Sequence, residues 1–271
     1  MTQVPRTCLF VPGDRPERFD KALASGADAV VLDLEDAVAT DDKPRARDAV
    51  AQRLLAATVD ERTRWVVRIN DEASAVFDAD LAMLAACNVA CVMLPKAERA
   101  ATVVRVRAAC PDIAVLALIE TARGVLNAQA LAEAPGVQRL VFGTIDFALD
   151  LHLSGDPLGF DHAASHLALV SRAAGLASPV AGVTPEIMDA APLLADLQRA
   201  RAHGFSAKLC IHPKQVAVVH TALQPSAIDL DWARRVIAAA QSAPGAVQVD
   251  GRMVDKPVLQ RAHALLAHAS R

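Results

Sequence analysis

Glu120 follows an unbroken apolar run, Ala114 to Ile119, and precedes a stretch of helical character. A carboxylate at the exit of a buried strand is costly unless a cation meets it there. A second acid, Asp146, stands just beyond the next apolar run, Gln138–Phe142. Two carboxylates on successive strand ends suit Mg²⁺, which takes oxygen ligands, keeps several waters and commonly uses one or two protein carboxylates plus its substrate. The plainer alternative is that Glu120 complements the positive end of the next helix while Asp146 caps the one after. The pattern alone leaves both open.

Other polar residues gather at similar exits. Asp14 and Arg15 follow the first apolar run, Asp33, Glu35 and Asp36 close the second, and Arg68-Ile69-Asn70 closes the third. Lys96 ends the fourth, and Lys208, His212 and Gln215 mark the eighth. The planar fork of Arg68 suits a carboxylate held bidentately, or a salt bridge to Asp33 or Glu35 next door. The Asp33–Asp36 cluster is too acidic to stand unpaired. Lys43, Arg45 or Lys96 can neutralise it, or metal-bound waters can bridge it; Glu35 and Asp36 are read as supporting the metal through such waters, with a water held by one of them as the expected catalytic base. His212, before Pro213, reads as hydrogen-bonded on a rim rather than as an acid/base.

The elements that must position these residues are short, nearly continuous apolar runs with helical stretches between them. They are Thr7–Pro12, Ala29–Leu34, Trp65–Ile69, Val89–Leu94, Ala114–Ile119, Gln138–Phe142, Pro179–Val183 and Ala207–Ile211. Runs without alternation are expected of parallel strands covered on both faces. Strands alternating with helices in this way predict an α/β fold, a (β/α)₈ TIM barrel, over residues 1–222. Asp14 is the expected cap of the first helix, ahead of Pro16. Val103, Val104, Val106 and Ala109 are expected to form one buried stripe, and Leu193, Leu194, Leu197 and Ala200 another.

Residues 223–271 exceed what a bare barrel needs. A helix (Ile228 to Gln241) precedes Val247-Gln248-Val249-Asp250-Gly251-Arg252-Met253-Val254, where Asp-Gly between apolar triplets predicts a type I′ hairpin. An amphipathic helix carrying Val258, Leu259, Ala262, Leu265 and Leu266 ends the chain. This helix–hairpin–helix extension is expected to be a lid over the barrel mouth or a clasp on a neighbouring subunit. Asp255, just before the last helix, reads as its N-cap or as a lid acid, and one residue can do both.

With 28 basic and 31 acidic residues, no basic field points to nucleic acid or to a membrane surface. No apolar stretch reaches the roughly 18 residues that span a bilayer. The N-terminus lacks the h-region of a signal peptide. Cys8, Cys87, Cys91, Cys110 and Cys210 are scattered within apolar segments and read as buried free thiols in a reducing compartment. A cytoplasmic protein is expected.

Taken together, the motifs resemble those of the citrate lyase β-subunit-like branch of the HpcH/HpaI aldolase family. They are Leu9-Phe10-Val11-Pro12-Gly13-Asp14-Arg15-Pro16-Glu17-Arg18-Phe19, Leu32-Asp33-Leu34-Glu35-Asp36-Ala37-Val38 and Val67-Arg68-Ile69-Asn70. Leu94-Pro95-Lys96, Ile119-Glu120-Thr121-Ala122-Arg123-Gly124, Phe142-Gly143 with Asp146, Lys208 with Ile211-His212-Pro213, and Gly251-Arg252-Met253-Val254-Asp255 continue the series. The likeness runs in order over essentially the whole chain. Phe10 stands where some relatives carry tyrosine, and Ser206-Ala207 precedes Lys208 where glycine is common.

The resemblance implies a TIM-barrel lyase that cleaves or forms a C–C bond between an acyl thioester and an α-keto acid. It implies Mg²⁺ on Glu120 and Asp146, Arg68 on the keto-acid carboxylate, and a thioester-binding rim that includes Arg15 and Lys21. It also implies Asp255 exchanging a proton with the acyl carbon from a neighbouring subunit of a trimer or hexamer. Three other readings stay open at this point. They are a metal-dependent aldolase on free pyruvate-type acids, a subunit of a citrate lyase complex using an acyl-carrier thioester, and a catalytically silent binding protein.

Overall fold

The computed structural model describes residues 4–242 and 247–269. The chain divides into two compact units, Met1–Val219 and His220–Arg271. The first is a closed barrel of eight parallel strands in sequence order. They are β1 (Thr7–Pro12), β2 (Ala29–Asp33), β3 (Trp65–Arg68), β4 (Cys91–Leu94), β5 (Ala114–Ile119), β6 (Val137–Phe142), β7 (Val180–Ala181) and β8 (Ala207–Cys210). Closure comes from β8 pairing with β1, Leu209 opposite Cys8.

Both faces of the sheet are buried, which is why the strands read as unbroken apolar runs. Cys8, Val31, Val66, Met93, Leu116, Leu118, Val141, Val180, Ala207 and Leu209 pack in the interior. Alternate residues such as Leu9, Val30, Val67, Val92 and Leu140 are buried under the helices. At the N-terminal end the buried Arg139 ties three segments together. It donates to the carbonyls of Ser178 and Pro5 and to the Ser206 hydroxyl, at 2.5, 2.6 and 2.9 Å.

The seventh strand is the shortest, two residues where Pro179–Val183 was expected. Pro179 has no N–H to give to a ladder. Gly182 lies so close to β6 that a Cβ there would stand 2.6 Å from Thr144 Oγ1 and 2.7 Å from the Phe142 carbonyl. Side chains take over where the ladder stops. Lys208 Nζ donates to the Gly182 carbonyl, and Gln215 Nε2 donates to the carbonyls of Thr184 (2.9 Å) and Glu186 (3.1 Å).

Three local expectations fail for physical reasons. Val104 and Leu194 are 55% and 43% exposed, because Thr102, Val103 and Val106, and Leu193 with Leu197, already fill the buried stripes. Asp14 caps nothing: the segment after β1 enters a 3₁₀ turn, Pro16–Arg18, with Arg15 at its N-cap and no side-chain cap bond.

In the second unit a helix, Ala227–Ser242, precedes the antiparallel pair β9 (Val247–Val249) and β10 (Arg252–Val254) and a final helix, Lys256–Ala269. Asp250 and Gly251 both take positive φ, 53° and 72°, as a type I′ turn requires. Ala233, Val236, Val249, Val254 and Ala262 form its core, with Val258, Leu259, Leu265 and Leu266 packed against it. Among the described residues no helix is long and apolar enough to cross a membrane.

Burial pushes the Lys208 amine down from 10.5 to about 8, with Asp196 opposing the shift. Between those two values the unfolded chain binds more protons than the folded one, so stability rises with pH through that window. The melting temperature of the wild type should therefore climb relative to Lys208→Met from pH 8 to 10.5. Parallel profiles would refute this account of Lys208.

Candidate active site

Side-chain parity along the strands decides which polar residues meet. Asp33 lies two residues after Val31, Arg68 two after Val66 and Glu120 two after Leu118, all interior positions. Each therefore points inward at the C-terminal end of the barrel, where (β/α)₈ chemistry is built. Lys208 sits between the interior residues Ala207 and Leu209 and so points out toward the helices.

Asp33 and Arg68 are register partners on β2 and β3. Arg68 Nε and Nη2 donate to Asp33 Oδ1 and Oδ2 at 2.7 and 2.6 Å, a bidentate pair. Nη1 lies 2.9 Å from Glu35 Oε2 and 3.6 Å from Asp36 Oδ2. The Arg68 guanidinium also stands 4.9 Å over the Phe10 ring. Burial works against its charge, and the bonds and charge of Asp33 outweigh it, so the Arg68 pKa rises. The salt-bridge reading of Arg68 holds in this structure: the fork belongs to Asp33.

Lys96 connects the two halves of the site. Its Nζ donates to Glu35 Oε1 at 2.6 Å, and its backbone N–H donates to Glu120 Oε1 at 2.8 Å. To do both it takes φ 44°, the left-handed region, where a residue with a Cβ is strained by about 1 kcal/mol or more. Burial raises the Glu35 pKa to about 6, with Arg68 and Lys96 pulling it back, so Glu35 is ionised at neutral pH. Behind it, Lys43 Nζ donates to the carbonyls of Leu34 and Glu35 at 2.9 Å each and to Asn70 Oδ1 at 2.5 Å. Asn70 is fixed in turn by the fully buried Asp80, which also accepts from Arg47.

Glu120 lacks such compensation. Its carboxyl is 2% exposed as a residue and is pushed up to about 8, first by burial and then by the charge of Glu35, with Asp146 adding to the shift. Gly143 makes room beside it: a Cβ there would fall 2.5 Å from Glu120 Oε2. Asp146 lies in the first turn of the helix Thr144–Asp150, which starts directly after Gly143. Asp36, Arg68, Glu120 and Asp146 together line a cavity of about 540 Å³ floored by Phe10, Leu118 and Leu209.

The remaining expected residues stand elsewhere. Arg15 pairs with Asp14 at 3.8 Å and is largely exposed, Lys21 is exposed on the helix Phe19–Leu23, and neither lines the cavity. His212 Nδ1 accepts from the Lys214 N–H at 3.1 Å, a rim contact. In the second unit, Asp255 Oδ1 accepts from the Val258 N–H at 3.1 Å and caps the last helix. Reading the sequence missed the double role of Lys96, because neither its left-handed backbone nor its two partners leave a local signal. It also missed Asp80, which sits inside an ordinary helical pattern.

A model of the HpcH/HpaI aldolase/citrate lyase family matches residues 6–213. The chain belongs to the HpcH/HpaI aldolase/citrate lyase family. A second family model, described as a C–C bond lyase of the TIM-barrel fold, matches residues 164–270. The citrate lyase subunit β-like protein of Mycobacterium tuberculosis is 42% identical over 96% of this chain and 94% of its own length. A (3S)-malyl-CoA thioesterase of Cereibacter sphaeroides is 35% identical over 97% of this chain and 94% of its own. The crystal structure of CitE from M. tuberculosis in complex with magnesium, acetoacetate and coenzyme A superposes with a TM-score of 0.89. It is 39% identical, and the match covers 100% of both chains. As a member of this family the chain is a carbon–carbon lyase.

Lys96→Met keeps the backbone donor to Glu120 and removes the charge from Glu35. Lyase activity should fall about 10- to 100-fold, with the folded state retained by circular dichroism. Unchanged kcat/KM would show that Lys96 serves packing alone.

Proposed function

We propose that this lyase is magnesium-dependent and acts on a 3-hydroxyacyl-CoA such as citryl-, citramalyl- or malyl-CoA. It cleaves the substrate to an α-keto acid and an acyl-CoA, or joins them in reverse. The observation that carries this reading is Glu120, buried at the cavity beside Asp146 with a backbone N–H as its one hydrogen-bonded compensation. The relative solved with magnesium, acetoacetate and coenzyme A supports the same ion and a CoA-bearing substrate here.

The donor set fits a hard cation. Glu120 and Asp146 offer oxygen alone, and Gly143 leaves space beside Glu120 Oε2. Among the described residues no group of three or more acidic, histidine or cysteine side chains is arranged around one ion. Two carboxylates, with water and substrate completing the shell, is the usual Mg²⁺ arrangement. Glu120 and Asp146 would hold the ion, which when bound acidifies a chelated hydroxyl.

The chain's own residues supply the rest. Arg68 draws in the keto-acid carboxylate by its charge while its fork stays on Asp33. Asp36, 57% exposed and lining the cavity, takes the substrate hydroxyl proton. Glu35, bound to Lys96 and Arg68, keeps those cations in place. As the C–C bond breaks, the hydroxyl carbon becomes the keto carbon and the bonding electrons remain on the carbon beside the thioester. Asp255 of a neighbouring copy in a trimer or hexamer then protonates that carbon. Arg15 and Lys21 hold the CoA portion. A cytoplasmic site of action belongs to the same proposal, supported by five cysteines that are all free.

The thioesterase relative favours a second reading, hydrolysis of a malyl-type thioester. Product analysis separates them, since hydrolysis yields free CoA and a hydroxy acid in place of acyl-CoA and a keto acid.

Glu120→Gln, or EDTA on the wild type, should lower cleavage by about a hundredfold or more; full cleavage under either condition overturns the mechanism. Because an ion at Glu120 must displace a proton held up to about pH 8, Mg²⁺ affinity measured calorimetrically should strengthen as pH rises toward 8 and level off above it. A flat wild-type profile contradicts that placement of the ion. Mixed oligomers of Arg68→Ala and Asp255→Ala should recover activity that neither has alone. No recovery from verified mixed oligomers would confine Asp255 to its own chain.

A further inference from the structure

The chain has eight histidines, and His162 and His166 are the only two that stand within four residues of each other. Both lie on the helix Asp161–Ala173, where a four-residue spacing places them one turn apart on the same face. That face looks away from the barrel, since the helix buries Ala163, Ala164, Leu167, Val170 and Ser171 instead. The two rings stand 6.3 Å apart, centre to centre, and 10° from parallel.

His203, packed against the same helix, shows what a histidine committed to structure looks like here. Its Nδ1 meets Ser165 Oγ and its Nε2 meets Asp161 Oδ1, each at 2.9 Å, so both ring nitrogens are used. Among the described residues neither ring of His162 or His166 makes a hydrogen bond or an ion pair. As a structural pair they offer little, because like charges at this spacing repel whenever both rings are protonated.

As a chelate they offer more. Two imidazoles four residues apart on one helix face can share a metal ion. Imidazole nitrogen suits Zn²⁺, Ni²⁺ and Cu²⁺, whereas Mg²⁺ takes oxygen. Rings that share a tetrahedral zinc ion have centres about 5 Å apart, with the metal about 2 Å from each nitrogen. From 6.3 Å, rotation about the soft terminal torsion of each side chain turns a nitrogen of each ring into the gap.

We propose that His162 and His166 chelate a divalent transition-metal ion of the zinc class, at a site separate from the carboxylates of the barrel. Two protein nitrogens hold the ion and water completes its shell, since no third acidic, histidine or cysteine side chain joins the pair among the described residues. Neither histidine lines the cavity. The site is nevertheless joined to the catalytic end through Phe160, two residues before His162. The Phe160 ring packs on Phe142 and Phe147, at 6.2 and 6.4 Å, and these flank Gly143 and Asp146. An ion on the two histidines braces the start of the helix that follows this aromatic cluster.

The test is a calorimetric titration of Zn²⁺ into the full-length, tag-free enzyme held in excess Mg²⁺, which competes for the barrel carboxylates. The wild type should bind one Zn²⁺ per chain at this site. Replacing both ligands, His162→Gln with His166→Gln, should weaken that binding by about tenfold or more. Each single variant should lose most of the affinity, because one surface imidazole is not a chelate. Neither side chain is buried, so the variants should fold, which circular dichroism checks. Zn²⁺ should also raise the melting temperature of the wild type more than that of the double variant. In Glu120→Gln the Zn²⁺ event should persist. A wild type that binds no Zn²⁺, binding that survives loss of both histidines, or binding that vanishes in Glu120→Gln overturns the proposal.

Discussion

Burying several carboxylates at one end of a hydrophobic barrel is the constraint on which the rest depends. An ionised carboxylate in a poorly hydrated interior is sustained only by cations and donors placed within hydrogen-bond reach. Arg68 serves three acids, taking Asp33 with two nitrogens and facing Glu35 and Asp36 with the third. Lys96 serves two, with side chain and backbone. After these pairings Glu120 still holds its proton more tightly than an ordinary carboxylic acid. The site is therefore balanced for one more positive charge, and the mouth of the cavity is where it can enter.

Holding that balance requires rigidity around it. Lys43 and Asn70 fix the backbone carrying Glu35, and Asp80 with Arg47 fixes Asn70. The left-handed backbone at Lys96 is tolerated because both ends of that residue are bound. Local strain held in place by its neighbours is common where geometry matters more than stability.

Most of the architecture could be read in the sequence. Strand positions followed from apolar runs, because a doubly covered parallel strand has no other pattern, and β1 and β5 coincide with their runs from end to end. The same property hid which way each residue points. With both faces apolar, parity cannot be assigned without a known interior neighbour, so Lys208 reads as a strand-end residue although it faces the helices. Val104 and Leu194 read as buried and are exposed, because an apolar residue at helical spacing stays outside when its neighbours already fill the stripe. Glu120, Asp146 and Arg68 could be found as polar residues ending apolar runs. That Asp33 occupies the Arg68 fork follows from the β2–β3 register, which sequence spacing does not give.

Seven strands of the barrel are joined largely by backbone atoms, which every residue type carries. The seam at β7 is different: two residues pair, and beyond them the chain is held by the side chains of Lys208 and Gln215. The segment they hold includes Val183, part of the cavity wall. Elsewhere the sheet can absorb sequence drift with its hydrogen bonds intact. Here a single substitution on the outer face of the barrel can reshape the inner wall, and so change what the cavity accepts without touching a residue that lines it.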